Sequence, residues 1–357
     1  MKRFWQEYKF PISLFFIWRS LLFLLGIAGQ FVLPFKTSFP YSELILIPSG
    51  LPQWLWQWAN FDGVHYLFLA KNGYTADGLH VFFPVFPILV RAISIIIGNY
   101  LVAGILVANI FAFISVVLIY KFAKNLYDES AAKWSTLFFL GFPAAFFLGS
   151  VYTESLFLCL ILGAFMARGV FARVCGFLAG ATRLVGAALI PASFLAGLGL
   201  AAYVSYLGIV WHRPMAFLES QAAFKNARAT SITTLVTPVQ VTWRYARIFT
   251  TANPQNLDFW IAALEFASFY FGVGILGYMT VKRQFPVRML LFCWAAILMP
   301  TLSGTFSSMI RYLVIIFPIY FFLAKIRMWP LKMGILGFFV ILQIVLVILF
   351  TRGYFVA

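Results

Sequence analysis

The chain has 357 residues, 63% hydrophobic and 20% aromatic, with only 10% charged and a mean hydropathy of +0.94. That balance lies far outside the range of soluble domains and requires an integral membrane protein with many apolar segments. The charged minority is lopsided, 26 Lys and Arg against 10 Asp and Glu for a net charge of +16; in such a chain the excess first sets orientation across the bilayer and also suits anionic headgroups, and nothing in its pattern points to nucleic acid.

Lys2, Arg3 and Lys9 place the N-terminus in the cytoplasm, and Ile12 to Leu33, with Arg19 inside it, is long enough to cross outward. No small-residue cleavage site follows, so this run reads as a retained anchor. Residues 34–100 then form a long first external loop. Within it Val81 to Gly98 is apolar enough to span but holds two prolines and Arg91. A crossing there would turn Lys121, Lys124 and Lys133 outward, against the positive-inside rule, so the segment is expected along the membrane surface. Leu101 to Tyr120 returns inward, Trp134 to about Gly149 goes out, and Ser150 to Ser155 turns outside before the basic pair Arg168 and Arg173.

Further on, Phe259 to Val281, roughly Met289 to Leu302, Ile310 to Ala324 and Leu331 to Phe350 alternate, with Lys282, Arg283, Arg288, Lys325, Arg327 and Lys332 inside. This leaves 212–258 as a second external segment, so 174–211 must cross an odd number of times although it is too short for three full helices. One crossing plus a re-entrant or broken pair, near Arg183 or Pro191, restores the parity. The predicted fold is an all-α polytopic membrane protein, residues 1–357 forming one transmembrane domain with about nine to eleven crossings. Cys159, Cys175 and Cys293 have no paired or metal-ligand spacing and read as packing residues.

Each of the ten carboxylates can then be placed. Glu7, Asp128 and Glu129 are cytoplasmic, Glu265 lies within a helix, and Glu43, Asp62, Asp77, Glu154, Glu219 and Asp258 fall outside. Arg19, Arg91, Arg183, Arg244 and Arg311 sit in membrane segments or near their outer ends, where a charge needs a partner or a water-filled cavity. Guanidinium groups suit phosphate bidentately. No phosphate-loop, dinucleotide, HExxH or GxSxG pattern is present, which removes a cytosolic nucleotide and the usual hydrolase nucleophiles as evident chemistry. A carboxylate acting as general base on a hydroxyl, with arginines steadying a phosphate leaving group, fits transfer of a sugar from a lipid phosphate.

Six segments carry a family likeness: FDGVHYLFLAKNGY (Phe61 to Tyr74), FFPVFPILVR (Phe82 to Arg91), YTESLF (Tyr152 to Phe157), TRLVG (Thr182 to Gly186), RPMAFLESQAAF (Arg213 to Phe224) and RYLVIIFP (Arg311 to Pro318). In order and spacing they resemble the PIG-V-like mannosyltransferases of the GT-C class. The resemblance implies an inverting transfer on the non-cytosolic face, from a polyprenyl- or dolichol-phosphate mannose donor to a glycolipid or glycan hydroxyl. It puts Asp62 at the catalytic acid's position and Glu154 at that of a second external acid. Arg183 and Arg311 match the family's cavity arginines. His65, Tyr66, Tyr312 and Arg244 are further candidates for binding substrate or donor. This sequence departs from the pattern at Phe61, usually tryptophan, at Leu184, often proline, and at His212 and Arg213, which replace a Gly-Asp pair.

Plainer roles remain open for the same residues. Asp62 is also suited to cap an interfacial helix, His65 to orient Asp62 from the same helical face or simply to pack, and Glu154 to pair structurally with an arginine. Arg19 and Arg91 are suited to snorkel as topology markers, above all Arg91. His80 and His212 read as surface residues, and Trp54, Trp56 and Trp58 as an interfacial belt. Lys225, Arg228, Arg244 and Arg247 either bind anionic headgroups or form a solvated face. The rival class is a multipass lipid transporter or flippase, whose usual related halves with broken helices are not apparent. No cofactor is required; a divalent metal would need Asp62 and Glu154 to converge.

Overall fold

In the computed structural model, residues 2–37, 42–223 and 231–356 are described, apart from the side chains of 2–4, 222, 223 and 232. Lys225 and Arg228 lie outside this set. Every extended element among the described residues is helical. In chain order the helices are α1 (Lys2–Ala28), α2 (Asp62–Asn72), α3 (Val85–Ile97), α4 (Tyr100–Leu126), α5 (Glu129–Gly141), α6 (Glu154–Met166), α7 (Gly169–Gly180), α8 (Leu195–Trp211), α9 (Pro238–Thr251), α10 (Leu257–Val281), α11 (Val287–Leu298), α12 (Met309–Val314), α13 (Pro318–Ala324) and α14 (Trp329–Thr351). Short single turns fill several of the connections.

Among the described residues, four stretches are long and apolar enough to cross a bilayer: Trp5–Phe31, Tyr100–Leu126, Leu257–Val281 and Trp329–Thr351. Five further apolar helices have 10–17 residues, too short to span alone at about 1.5 Å per residue. Among these, α3 is about 20 Å long and sharply two-sided. Phe86, Val90 and Ser94 are buried at successive four-residue steps, while Ile88, Ile95 and Ile96 are exposed. An apolar outer face on a helix this short suits a segment at the membrane boundary, the placement expected from the lysine distribution.

The expected crossings at 134–149 and 310–324 are interrupted rather than continuous. α5 stops at Gly141, before Pro143, and the chain proceeds through a short turn over Ala145–Gly149. The carbonyls orphaned at that break need donors in an apolar interior. Gln343 of α14, itself buried, supplies its amide to the carbonyls of Leu140 and Phe142 at 2.9 and 2.7 Å. The second interruption falls between α12 and α13, just before Pro318.

Residues 174–211, where an odd number of crossings was expected, are built from short helices. α7 and α8 flank a tight turn over Leu184–Leu189. Their backbones touch through glycine: a side-chain carbon at Gly180 would collide with the Ala196 carbonyl, and one at Gly199 with that of Phe177. Such contact is available only to the smallest residues and is the usual means of packing helices where water gives no drive. The break falls where the sequence suggested it, around Arg183 and Pro191.

The chain divides into two compact units. One comprises Met1–Lys71, Phe86–Leu162 and Phe317–Val356; the other comprises Asn72–Val85 and Gly163–Ile316.

Candidate active site

In the first unit Arg19 decides how the candidate acids are held. The guanidinium is buried midway along α1, donates to the Gly149 carbonyl at 2.8 Å, and lies over the rings of Phe23 and Trp58 at 4.2 and 4.3 Å. Ring faces and a carbonyl replace part of its lost hydration. Arg19 is therefore an internal clamp, and the snorkelling role considered for it does not apply, whereas Arg91 is exposed as expected. The tryptophan belt is corrected in the same way. Trp54 is 47% exposed, but Trp58 is fully buried, with the Arg19 cation over its ring and Phe23 set against it at a steep angle, and Trp56 is nearly so, packed against Phe35.

That clamp joins the two segments that carry the acids. The Val151 N–H donates to the Trp58 carbonyl at 2.9 Å, and the Tyr152 hydroxyl to the Asn60 carbonyl at 2.9 Å. The Asn60 side chain donates to Phe350 O at 2.8 Å, tying the same strand of chain to the end of α14. Gly63 is buried beside the Val151 carbonyl, where a side chain would crowd it. Between these anchors Phe61 takes φ +58°, the left-handed region that a bulky residue rarely adopts. Its ring packs against Phe350 and Phe355 at 5.9 and 5.7 Å. The kink starts α2 at Asp62, so the candidate acid opens the helix, half-buried and in its first turn.

His65 follows one turn on, also half-buried. Burial holds its imidazole below the ordinary 6.5, and the charge of Asp62 draws it partly back. Tyr66 is buried against Phe86 and Tyr152 at centroid distances of 5.2 and 6.5 Å. Glu154, two residues beyond Tyr152, heads α6 and is 1% exposed. One fixed framework thus carries Asp62, His65, Tyr66 and Glu154.

The second unit holds the candidate arginines. Arg183 lies over the Tyr312 ring at 5.1 Å, and Arg311 is buried on the same short helix as Tyr312. The turn before α12, with Gly304 at φ +95° and Ser308 at φ +65°, is pinned. Glu265 of α10, only 5% exposed, accepts from the Ser308 N–H at 3.1 Å and from the Tyr245 hydroxyl at 2.6 Å. Tyr245 in turn receives the Phe306 N–H at 3.2 Å. Arg244, exposed on α9, donates to the Gly304 carbonyl at 2.9 Å and lines an open groove of about 660 Å³ with Arg247, Gln240 and Trp243. The sequence placed Glu265 in a helix and gave it no task; its signal was a lone carboxylate inside an apolar span, which is rarely idle.

Two of the six acids expected outside are committed elsewhere. Arg213 bridges Asp77 and Glu219 at 3.1 and 2.6 Å. His212 holds a left-handed φ of +53°, where the family pattern's glycine would be unstrained. His80 is corrected from surface to interior: it is 1% exposed, stacked on Tyr74 and set edge-on to Trp211. Among the described residues, no three His, Cys, Asp or Glu gather as a metal site.

The family signature of the mannosyltransferases called PIG-V matches residues 9–348, almost the entire chain. The chain belongs to that family. Its members are membrane glycosyltransferases of the GT-C type, which agrees with the all-helical architecture and the four described helices long and apolar enough to span. A curated relative, GPI mannosyltransferase 2 of Drosophila pseudoobscura pseudoobscura, is 25% identical over 132 residues, covering 33% of this chain. The match spans 28% of that relative's own length. No solved structure matches the chain.

Proposed function

We propose that this PIG-V family chain transfers mannose from a polyprenyl- or dolichol-phosphate donor to a glycolipid or glycan hydroxyl on the non-cytosolic side of its membrane. In the reaction the acceptor oxygen attacks the anomeric carbon, the bond to the donor phosphate breaks with inversion, and Asp62 takes the hydroxyl proton. Arg183 and Arg311 bind the departing phosphate, and the Tyr312 ring under Arg183 keeps that guanidinium in place. Glu154 orients a sugar hydroxyl, with His65 and Tyr66 shaping the same framework.

The observation that carries this reading is the mounting of Asp62. A left-handed Phe61, a buried Asn60 and two hydrogen bonds to the Val151–Tyr152 segment converge on one half-buried carboxylate. A helix cap would need none of that apparatus, whereas a general base gains rate from fixed geometry.

The test is Asp62→Asn in the purified full-length protein, supplied with a panel of polyprenyl-phosphate sugars. Turnover is expected to fall by about 10²-fold to 10⁴-fold, the usual share of general-base catalysis, with donor affinity retained. EDTA is expected to leave wild-type transfer unchanged. Undiminished transfer by the variant would remove Asp62 from the mechanism, and movement of lipid with no sugar product would remove the transferase reading.

A further inference from the structure

Apart from the residues assigned above, the second unit holds a cavity of about 560 Å³ lined by Arg168, Arg173 and Arg288 together with Phe165, Met166 and Ala192. All three arginines are exposed to it. Among the described residues none of them has a carboxylate within ion-pair distance. Arg168 follows the carbonyl end of α6 and is also the N-cap residue of α7, and Arg173 stands in the second turn of α7. Arg288, the second residue of α11, is placed against the usual preference for an anion at a helix amino end. Neither α7 nor α11 has a side-chain hydrogen bond capping that end. Two helix amino ends and three guanidinium groups therefore sum to one positive concavity, which a bound anion would relieve.

We propose that this cavity binds a phosphate-monoester group. Three guanidinium groups match the bidentate, multiply charged oxygens of a phosphate better than a single carboxylate, and Phe165 and Met166 offer an apolar wall to whatever chain the phosphate carries. The cavity is remote from the donor arginines. It lies at the amino end of α7, whose 12 residues put Arg183 about 18 Å away at the other end. On the charge asymmetry of the sequence this is the cytoplasmic end, so the ligand is either an anionic lipid headgroup of the inner leaflet or a soluble phosphate. The proposal does not depend on the assigned transfer reaction.

The experiment uses the full-length protein in phosphatidylcholine nanodiscs doped with phosphatidic acid, and separately with inorganic phosphate. Native mass spectrometry reads lipid retention, and thermal unfolding reads phosphate binding. The variant R168Q/R173Q/R288Q is compared with K121Q/K282Q/R327Q, which removes the same charge from exposed positions outside the cavity. The cavity variant is expected to lose about a hundredfold in affinity for one probe, and the control less than about threefold. Phosphatidic acid retained against millimolar phosphate identifies a headgroup site; displacement by phosphate, with phosphate-dependent stabilisation, identifies a soluble ligand. Equal loss in both variants, or none in the cavity variant with either probe, overturns the proposal. If the triple variant does not purify, R288Q alone is expected to weaken the same probe about fivefold, and unchanged binding is again disqualifying.

Discussion

Removing the carboxylate of Glu265 should loosen the turn in front of Arg311 in a way that distinguishes lost hydrogen bonds from lost charge. Glu265→Ala leaves the Ser308 N–H and the Tyr245 hydroxyl without their acceptors. A buried donor left unsatisfied costs about 1–3 kcal/mol, so two cost about 2–6. The Tyr245 hydroxyl keeps a neighbour in Thr305 Oγ1 at 3.1 Å, and relief of a buried charge offsets part of the remainder, which places the expectation at about 2–4 kcal/mol. Glu265→Gln retains one oxygen for Ser308, and the hydroxyl can turn to accept from the new amide, so about 1 kcal/mol is expected. The measurement is equilibrium unfolding of the intact protein in mixed micelles, with Tyr245→Phe completing a double-mutant cycle. Because both residues hold the Phe306–Ser308 backbone, the double variant should cost about 1 kcal/mol less than the sum of the singles. Equal losses for Gln and Ala, or strict additivity in the cycle, would refute the argument.

Three further expectations follow from local geometry. At Phe61 the left-handed backbone costs about 1–2 kcal/mol for a residue with a side chain, while the ring's contacts stabilise. Phe61→Ala should therefore be less stable than Phe61→Gly by about 1 kcal/mol, and the reverse order would deny strain at that position. Gly149→Ala would set a methyl 2.7 Å from the Arg19 guanidinium carbon; a loss of about 1–3 kcal/mol is expected by overpacking, read by the same unfolding assay. For His80, burial is the largest influence and lowers its pKa, with Asp77 and Glu219 raising it and Arg213 lowering it. The folded state then binds this proton less readily than the unfolded chain, so stability should fall as pH drops below about 6.5 and level off below the folded value. His80→Gln should flatten that slope, measured as the difference between two pH–stability curves; identical curves would exclude His80 as the source.

Much of the architecture was legible because a bilayer allows few solutions. Lysine and arginine placement alone located α3 outside the spanning set, and the arithmetic of parity anticipated the break near Arg183. Hydropathy could not show that 134–149 is interrupted, because a broken helix whose carbonyls are satisfied by Gln343 has the same composition as a continuous one. The candidate acid Asp62 was visible as a carboxylate among aromatics, but the device that mounts it was not, since it depends on Phe61 adopting a glycine-like conformation and on Asn60 reaching a residue 290 positions away. Trp58 and His80 were misplaced for one reason: amphipathic rings are common at interfaces, and only their partners, Arg19 and Tyr74, reveal them as interior. Glu265 had the opposite fate, since a helical position conceals which loop its carboxylate reaches.

The Arg19 clamp also constrains how the protein is made. Its acceptor, the Gly149 carbonyl, lies 130 residues downstream, and a ribosome working at about 5–20 residues per second takes roughly 7–26 s to produce it. During that interval the first helix carries an arginine in lipid without its carbonyl acceptor, with only Phe23 of the same helix and later Trp58 beside it, at a cost of up to about 2.5–3.5 kcal/mol on the insertion scale. Its early residence in the membrane is thus provisional, and arrival of the segment from Phe146 to Gly149 converts it into a committed one. Biogenesis gains an order of events, in which the segment that secures the first helix is the one that delivers Glu154 beside the mount of Asp62.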